Sequence, residues 1–360
     1  MLRKQALFFQ QSLLFWHRHY NKRELPWKGE KDVYRIWLSE IILQQTRAEQ
    51  GWKYYERFLK AYPTISKLAD APLTEVVKLW EGLGYYNRCR NLHATAQKVT
   101  FEMNGQFPDT YEGILNLKGI GPYTAAAISS FAYNLPYAVV DGNVLRVLSR
   151  FFGEAAPIDS TKGRKVFEHL AKECLAKDKA AVYNQAIMDF GATVCKPDNP
   201  LCNQCSLQAG CTAFKQKTVL QLPVKEKSLL QRSRWFVFFA MAYKNSIAVE
   251  KRRSRDVWQD LYQFPLMEFR TEKEWKAFIK SDIVNKQKLF HSASLQLLTI
   301  SKPVVQKLSH QTIYAVAVAG KLNKKEKTAL LEWKTKEKLT ELPFPRVIHQ
   351  LIKGKLLDVF

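Results

Sequence analysis

The sequence lacks several features that would have fixed its class at once. No apolar run approaches the ~20 residues that a membrane-spanning helix needs. Its first residues, Met1-Leu2-Arg3-Lys4-Gln5, lead into an amphipathic rather than a signal-like stretch. Cysteine is scarce, with six in 360 residues, too few for a secreted disulfide scaffold. There is no internal repeat and no low-complexity tract. These absences point to a soluble, intracellular protein with no membrane partner. Acid is the other shortage: 33 Asp and Glu stand against 56 Lys and Arg, a formal net charge of +23. That imbalance argues for a polyanionic partner without saying which one. The length suggests two or three domains at ~150 residues each. Apolar residues at 46% and charged residues at 25% exclude a disordered chain.

From the start to about Cys211 the chain reads as helix after helix, with apolar residues recurring at three and four, as in Ile36, Trp37, Ile41 and Leu43. Breaks fall at Tyr62-Pro63-Thr64, Ala71-Pro72, Gly105 to Pro108 and Leu135-Pro136. A polar, Pro-interrupted stretch follows, and beyond it the texture turns to strand in Trp235 to Tyr243, Ser246 to Val249 and Thr312 to Val318. Residues 226 to 360 hold 26 Lys and Arg against 13 Asp and Glu, so the smaller part is the more basic per residue.

Two local patterns carry chemistry. Cys195, Cys202, Cys205 and Cys211 follow C-x6-C-x2-C-x5-C in a loop with Pro197, Pro200 and Gly210. Four thiolates so close can surround zinc or an iron-sulfur cube, and spacing alone leaves both open. Cys89 and Cys174 lie in helical patterns and read as ordinary thiols. The second pattern is Leu117-Lys118-Gly119-Ile120-Gly121-Pro122-Tyr123, a Gly-x-Gly turn that opens a helix. Its outward amides and the helix N-terminus could cradle a phosphate, or the turn could simply join two helices. About twenty residues on, Val139-Val140-Asp141-Gly142-Asn143-Val144 places an acid at the mouth of a helix, where it could serve as no more than an N-cap.

Together the hairpin, the Val-Asp-Gly-Asn-Val segment and the four cysteines resemble the helix-hairpin-helix, iron-sulfur DNA glycosylase superfamily, and within it the adenine DNA glycosylases of the MutY type. Nearly the whole chain shares in the resemblance. Leu25-Pro26-Trp27, Trp37 to Arg47, Trp80-Glu81-Gly82-Leu83-Gly84-Tyr85-Tyr86 and Asn184 to Ala192 all occur in order. It implies a mostly α chain, in which residues 1–213 form a helical catalytic domain with a hairpin barrel at about 30–135 and a cluster domain at 1–29 and 136–213. An interdomain linker at 214–232 and a smaller α+β Nudix-like domain at 233–360 would follow. It also implies one [4Fe-4S] cluster on Cys195, Cys202, Cys205 and Cys211. The partner would be duplex DNA carrying A:8-oxoguanine or A:G, bound by a monomer in the nucleoid of a prokaryotic cytoplasm.

Relatives that also cut the backbone carry a Schiff-base lysine just after the hairpin, where this chain has Tyr123. Two carboxylates without that amine fit hydrolysis of a glycosidic bond. Glu40, among Trp37, Ile41 and Leu43, is the expected acid, its pKa raised by apolar surroundings so that it can protonate an adenine ring nitrogen, which the resemblance implies is N7. Asp141 would face the sugar and stabilise the oxocarbenium, with Tyr123 and Asn143 orienting it. Because a stacked base cannot reach such a pocket, the adenine must be flipped out. By resemblance Gln45 and Tyr85 wedge into the stack beside Thr46, Arg47 and Leu83, Gly119 and Gly121 meet phosphate, and Gln44 and Tyr86 are structural. Leu25, Trp27, Lys28 and Asp189 would line or read the flipped base, with Lys28 standing where some relatives have Arg or Gln.

In the carboxy-terminal part, Trp258 to Pro265 resembles the Nudix strand-turn signature. The following Thr271-Glu272-Lys273-Glu274-Trp275-Lys276 lacks the Glu-rich magnesium helix, so a binding module without pyrophosphatase activity is expected. Lys307-Leu308-Ser309-His310-Gln311 resembles the loop that touches 8-oxoguanine, with Leu308 in place of an aromatic. Two rivals stand against a monofunctional adenine glycosylase: an endonuclease III type lyase, disfavoured by Tyr123, and a non-catalytic iron-sulfur DNA-binding protein, disfavoured by the presence of both Glu40 and Asp141.

Overall fold

In the computed structural model the described residues are 2–226, 231–281, 295–325 and 330–358. They fall into two compact units, Met1–Asp70 with Asn91–Lys227, and Ala71–Arg90 with Ser228–Phe360. Residues 227–230 of the expected linker lie outside the described residues.

The first unit is helical: α1 (Leu2–His19), α2 (Val33–Leu43), α3 (Ala48–Ala61) and α4 (Ile65–Asp70) precede the break at 71–90. After it come α6 (Asn87–Gln97, whose first turn belongs to the other unit), α7 (Tyr111–Leu115), α8 (Pro122–Tyr133), α9 (Gly142–Phe152), α10 (Thr161–Cys174), α11 (Ala180–Thr193) and α12 (Thr212–Lys215). Local chemistry sets the ends of the helices that carry the site. Asp32 caps α2 by accepting from the Tyr34 amide at 2.9 Å. Pro122 opens α8 at a position whose N–H would have no helical partner, and left-handed Asn134 closes it. Asp141 caps α9 and left-handed Gly153 ends it. One core joins α1, α9, α10 and α11 around Phe9, Trp16, Phe151, Phe167 and Phe190, with Trp16 edge-on to Phe190 at 4.9 Å. Each such ring contributes roughly 1.5–3 kcal/mol by leaving water.

The second unit is built on a parallel pair, β1 (Arg232–Tyr243) and β7 (Gln311–Leu322), in register from Arg232↔Gln311 to Ala242↔Lys321. Each long strand changes outer partner part-way. β1 pairs first with β4 (Leu266–Phe269) and then with β2 (Ser246–Lys251), while β7 pairs first with β6 (Val304–Lys307) and then with β5 (Leu295–Ile300). β3 (Tyr262–Gln263) and β8 (Leu331–Lys334) complete the sheet on β2. Val237, Phe239 and Met241 alternate onto the face covered by Trp275 of α13 (Glu272–Lys280). The period-2 runs at 235–243, 246–249 and 312–318 thus become β1, β2 and β7. The acids of α13 are occupied locally, since Glu274 closes a capping box with Thr271 and Glu272 pairs with Lys276 at 2.7 Å.

Residues 71–90, read as part of the hairpin barrel, pack with the strand-rich part: α5 (Leu73–Trp80) and its following loop are bonded to the end of that part, formed by α14 (Lys336–Glu341) and α15 (Arg346–Leu351) with the segment between them. Polar anchors such as Lys78 to the Leu342 carbonyl hold them, and a hydrophobic period does not reveal such anchors.

Candidate active site

The Gly-hairpin is held from behind by Thr95, whose hydroxyl donates to the Lys118 carbonyl at 2.9 Å. Gly119 sits at φ +82, and a Cβ there would lie 2.6 Å from the Cβ of Asn91. Gly121 offers no side chain to the first-turn amides of α8, which leaves that helix end open to an outside anion. Gly119→Ala combines a left-handed backbone with a backbone-supported clash, so we expect a loss of about 1–3 kcal/mol in denaturant unfolding, with DNA affinity falling alongside.

A cavity of about 570 Å³ opens beside α8 in the same unit. It brings Glu40, Tyr123, Asp141 and Asn143 together with Leu25, Trp27, Lys28, Thr46 and Arg47. Glu40, on the fully buried face of α2, has its pKa raised to about 7, chiefly by burial and further by the charge of Asp141. A hydrogen bond with Tyr123 works against that rise. The Tyr123 hydroxyl is itself pushed well above its ordinary range by burial and by the two carboxylates, so it stays a donor.

Asp141 is embedded differently. Its Oδ1 accepts from the Val144 amide at 2.7 Å as the cap of α9, and its Oδ2 accepts from Asn143 Nδ2 at 2.8 Å. Burial raises its pKa, with these bonds and Arg146 opposing. The Asn143 amide cannot turn freely, because its Oδ1 accepts from Arg146 Nη2 at 2.9 Å while the same nitrogen donates to the Gly191 carbonyl at 2.7 Å. Two carboxyls share one site, but only Asp141 carries a set of donors that favour its anion. A proton entering the pair therefore rests on Glu40.

Asp189 is not brought to the cavity wall. Its side chain is 0% exposed, bonded to Arg23 Nη1 at 2.9 Å and Asn21 Nδ2 at 2.8 Å, with Lys28 Nζ at 3.2 Å. Gln185 lines the cavity instead, one turn earlier on α11, together with Met188, His17 and Arg23. Residues four apart share a helix face, so a sequence pattern cannot say which of the two reaches the opening.

Arg146 also donates through Nε to the Cys195 carbonyl at 2.8 Å. Arg150 holds the carbonyls of Lys196 at 2.6 Å, Pro197 at 2.9 Å and Leu222 at 3.0 Å. Both arginines sit in α9 among apolar neighbours and were not singled out by any motif. Their bonds fold the cysteine loop against the core. Cys195, Cys202, Cys205 and Cys211 are free thiols, and Cys205 feels the charge of each of the other three. Among the described residues no three His, Cys, Asp or Glu side chains form a site for a single metal ion.

Gln45 is exposed in the first unit at φ 55 and Tyr85 is 42% exposed in the second at φ 48. A left-handed backbone is rare for residues this bulky and collects at functional positions. Gln44 instead donates to Thr124 at 3.0 Å, and Tyr86 is buried. In the second unit Leu83, Tyr85, Ser309 and His310 line a cavity of about 940 Å³ together with Arg255 and Arg346. The Tyr85 hydroxyl donates to Ser309 Oγ at 2.9 Å.

Residues 38–175 match the HhH-GPD superfamily of base excision DNA repair proteins, and residues 236–354 match the NUDIX domain. An adenine DNA glycosylase of Buchnera aphidicola subsp. Schizaphis graminum is 30% identical over 361 residues, covering 98% of each chain. The chain belongs to the adenine DNA glycosylase family. A second family member, from Buchnera aphidicola subsp. Baizongia pistaciae, is 34% identical over 86% of this chain and 85% of its own. The human adenine DNA glycosylase is 41% identical over 59% of this chain and 41% of its own length. Among solved structures, a thermostable thymine-DNA glycosylase superposes with a TM-score of 0.55 at 29% identity, covering 59% of this chain and 98% of that one. An endonuclease III–DNA complex superposes at TM-score 0.52 and 22% identity over 60% of this chain and 98% of that one, which shows the shared helical fold. A strand-rich Nudix-like domain follows the helical core.

Proposed function

We propose that this chain, a DNA N-glycosylase by family, removes adenine mispaired with 8-oxoguanine or guanine from duplex DNA and leaves an abasic site. The observation that carries the reading is one cavity holding a buried, protonatable Glu40, a bonded Asp141 and a tyrosine where a lyase would have an amine. Tyr123 donates to Glu40 and keeps its proton-bearing oxygen aimed into the cavity, from which Glu40 protonates the flipped adenine at N7. The electron pair of the C–N bond leaves with the protonated base, and the cationic sugar, stabilised by the Asp141 carboxylate, takes the oxygen of a water at C1′ while that water gives a proton to the now anionic Glu40, which leaves the abasic hydroxyl. Gln185, Met188, Leu25 and Trp27 close around the base, while Lys28 and Arg23, fixed by Asp189, hold the mouth of the site.

The four free thiols in a loop pinned by Arg146 and Arg150 suit a [4Fe-4S] cluster, which would supply a rigid cross-link for a basic loop facing phosphate. Gln45 and Tyr85 serve as wedges, and Ser309 with His310 reads the oxidised guanine. No described helix is long and apolar enough to cross a membrane, and the charge of +23 suits work on DNA in the prokaryotic cytoplasm. Incubating the chain with an A:8-oxoguanine duplex, with and without hot alkali, tests the reading. Strand cleavage only after alkali is expected. Cleavage without alkali favours a lyase, and no abasic site under either condition rejects catalysis.

A further inference from the structure

Glu81 is the last residue before the loop that carries Leu83 and Tyr85, and it caps the end of α5. Its half-buried carboxylate joins two segments of the second unit that are far apart in sequence. Oε1 accepts from the Phe344 amide at 2.6 Å and from His349 Nε2 at 2.7 Å, while Oε2 accepts from Lys78 Nζ at 3.0 Å. The same ammonium donates to the Leu342 carbonyl at 2.9 Å. Burial pushes the carboxyl up, yet these donors outweigh it and hold Glu81 below the usual carboxylate range. On the far side of the loop, Arg90 donates through Nη1 to the Gln259 carbonyl at 2.7 Å and lies 3.7 Å from Asp260. Between these two anchors the Tyr85 hydroxyl meets Ser309 at 2.9 Å.

We propose that Glu81 is a positioning residue: with Lys78 and His349 it clamps the Tyr85 loop onto the strand-rich part, so that what Ser309 touches decides how firmly the wedge is held. The inference rests on the proposed reading of Tyr85 and Ser309 as lesion contacts. Charge-assisted bonds to one carboxylate from three donors fix a loop more sharply than apolar packing can. A clamp of this kind acts on the difference between two partner bases, because only a base engaged by Ser309 draws on the shared position of the wedge. Loss of the clamp therefore lowers preference rather than affinity as a whole.

The test uses the full chain and fluorescence anisotropy with two duplexes, each bearing a tetrahydrofuran abasic analogue opposite either 8-oxoguanine or guanine. Glu81→Gln should lower the preference for the 8-oxoguanine duplex by about tenfold. On a Ser309→Ala background the same change should add less than about twofold, because both act through one contact. An unchanged preference, an equal loss of affinity for both duplexes, or full additivity with Ser309→Ala would each overturn the proposal. If Glu81→Gln does not fold, His349→Ala removes one donor and is read in the same way. An unmutated chain that prefers the 8-oxoguanine duplex but releases no adenine defeats the catalytic reading, and the Glu81→Gln comparison still decides the clamp. One with no preference defeats the clamp.

Discussion

Glu40→Gln should release adenine about a thousandfold more slowly than the unmutated chain while still binding the mispaired duplex. The amide keeps the shape and can still accept from Tyr123, but it has no proton to give to the leaving base. Single-turnover release measured beside duplex affinity separates the two outcomes, and a rate within about tenfold of the unmutated chain would remove Glu40 from the role of acid. The pH dependence follows from the same burial. With its pKa raised to about 7, Glu40 holds its proton at and below neutrality, so release should decline as pH rises through that value and should show no such limb in Glu40→Gln.

Glu40→Gln should gain stability where it loses rate. A carboxyl whose folded pKa lies above its unfolded one stabilises the fold fully at pH below the unfolded value, and this contribution is lost as pH rises through the folded value. Between the ordinary 4.5 and about 7, Glu40 therefore weakens the fold progressively, because an anion must be kept in an apolar wall. Glu40→Gln should be the more stable protein in mildly alkaline denaturant titrations, by on the order of 2 kcal/mol, and the gap should close in acid.

Much of this site could be read before any coordinates. Gly119 announces a turn because few other residues tolerate its left-handed backbone, Pro122 marks the first position of a helix, and Asp141 stands at a helix mouth where an acid is at home. Glu40 was legible from its apolar neighbours together with the family resemblance. What escaped the sequence depended on depth and on long-range polar bonds. Asp189 and Gln185 lie one turn apart on α11, and only packing decides that the first is sealed behind Arg23 while the second faces the cavity. Arg146 and Arg150 sit within an amphipathic helix like any surface cations, yet their guanidinium groups turn inward to carbonyls tens of residues away. Residues 71–90 continue the helical texture of their neighbours, and the bonds that attach them to the strand-rich part come from Lys78, Glu81 and Arg90 in contacts without periodicity.

Asp141→Asn should separate the two tasks of that side chain. As an N-cap, Asn is about as good as Asp, so its Oδ1 can go on accepting from the Val144 amide and α9 should stay capped. The second bond is lost, since the new amide nitrogen would face Asn143 Nδ2, and Asn143 cannot turn while Arg146 holds its oxygen. One missing hydrogen bond amounts to about 1 kcal/mol of stability, read in a denaturant titration. The reaction loses far more, because a neutral amide offers no charge to the cationic sugar. A fall of about a thousandfold in single-turnover adenine release is expected, equivalent to about 4 kcal/mol of transition-state stabilisation. Were the rate to fall only about fivefold, in step with the lost hydrogen bond, Asp141 would be a helix cap that happens to border the cavity, and the sugar cation would have to be stabilised by another group.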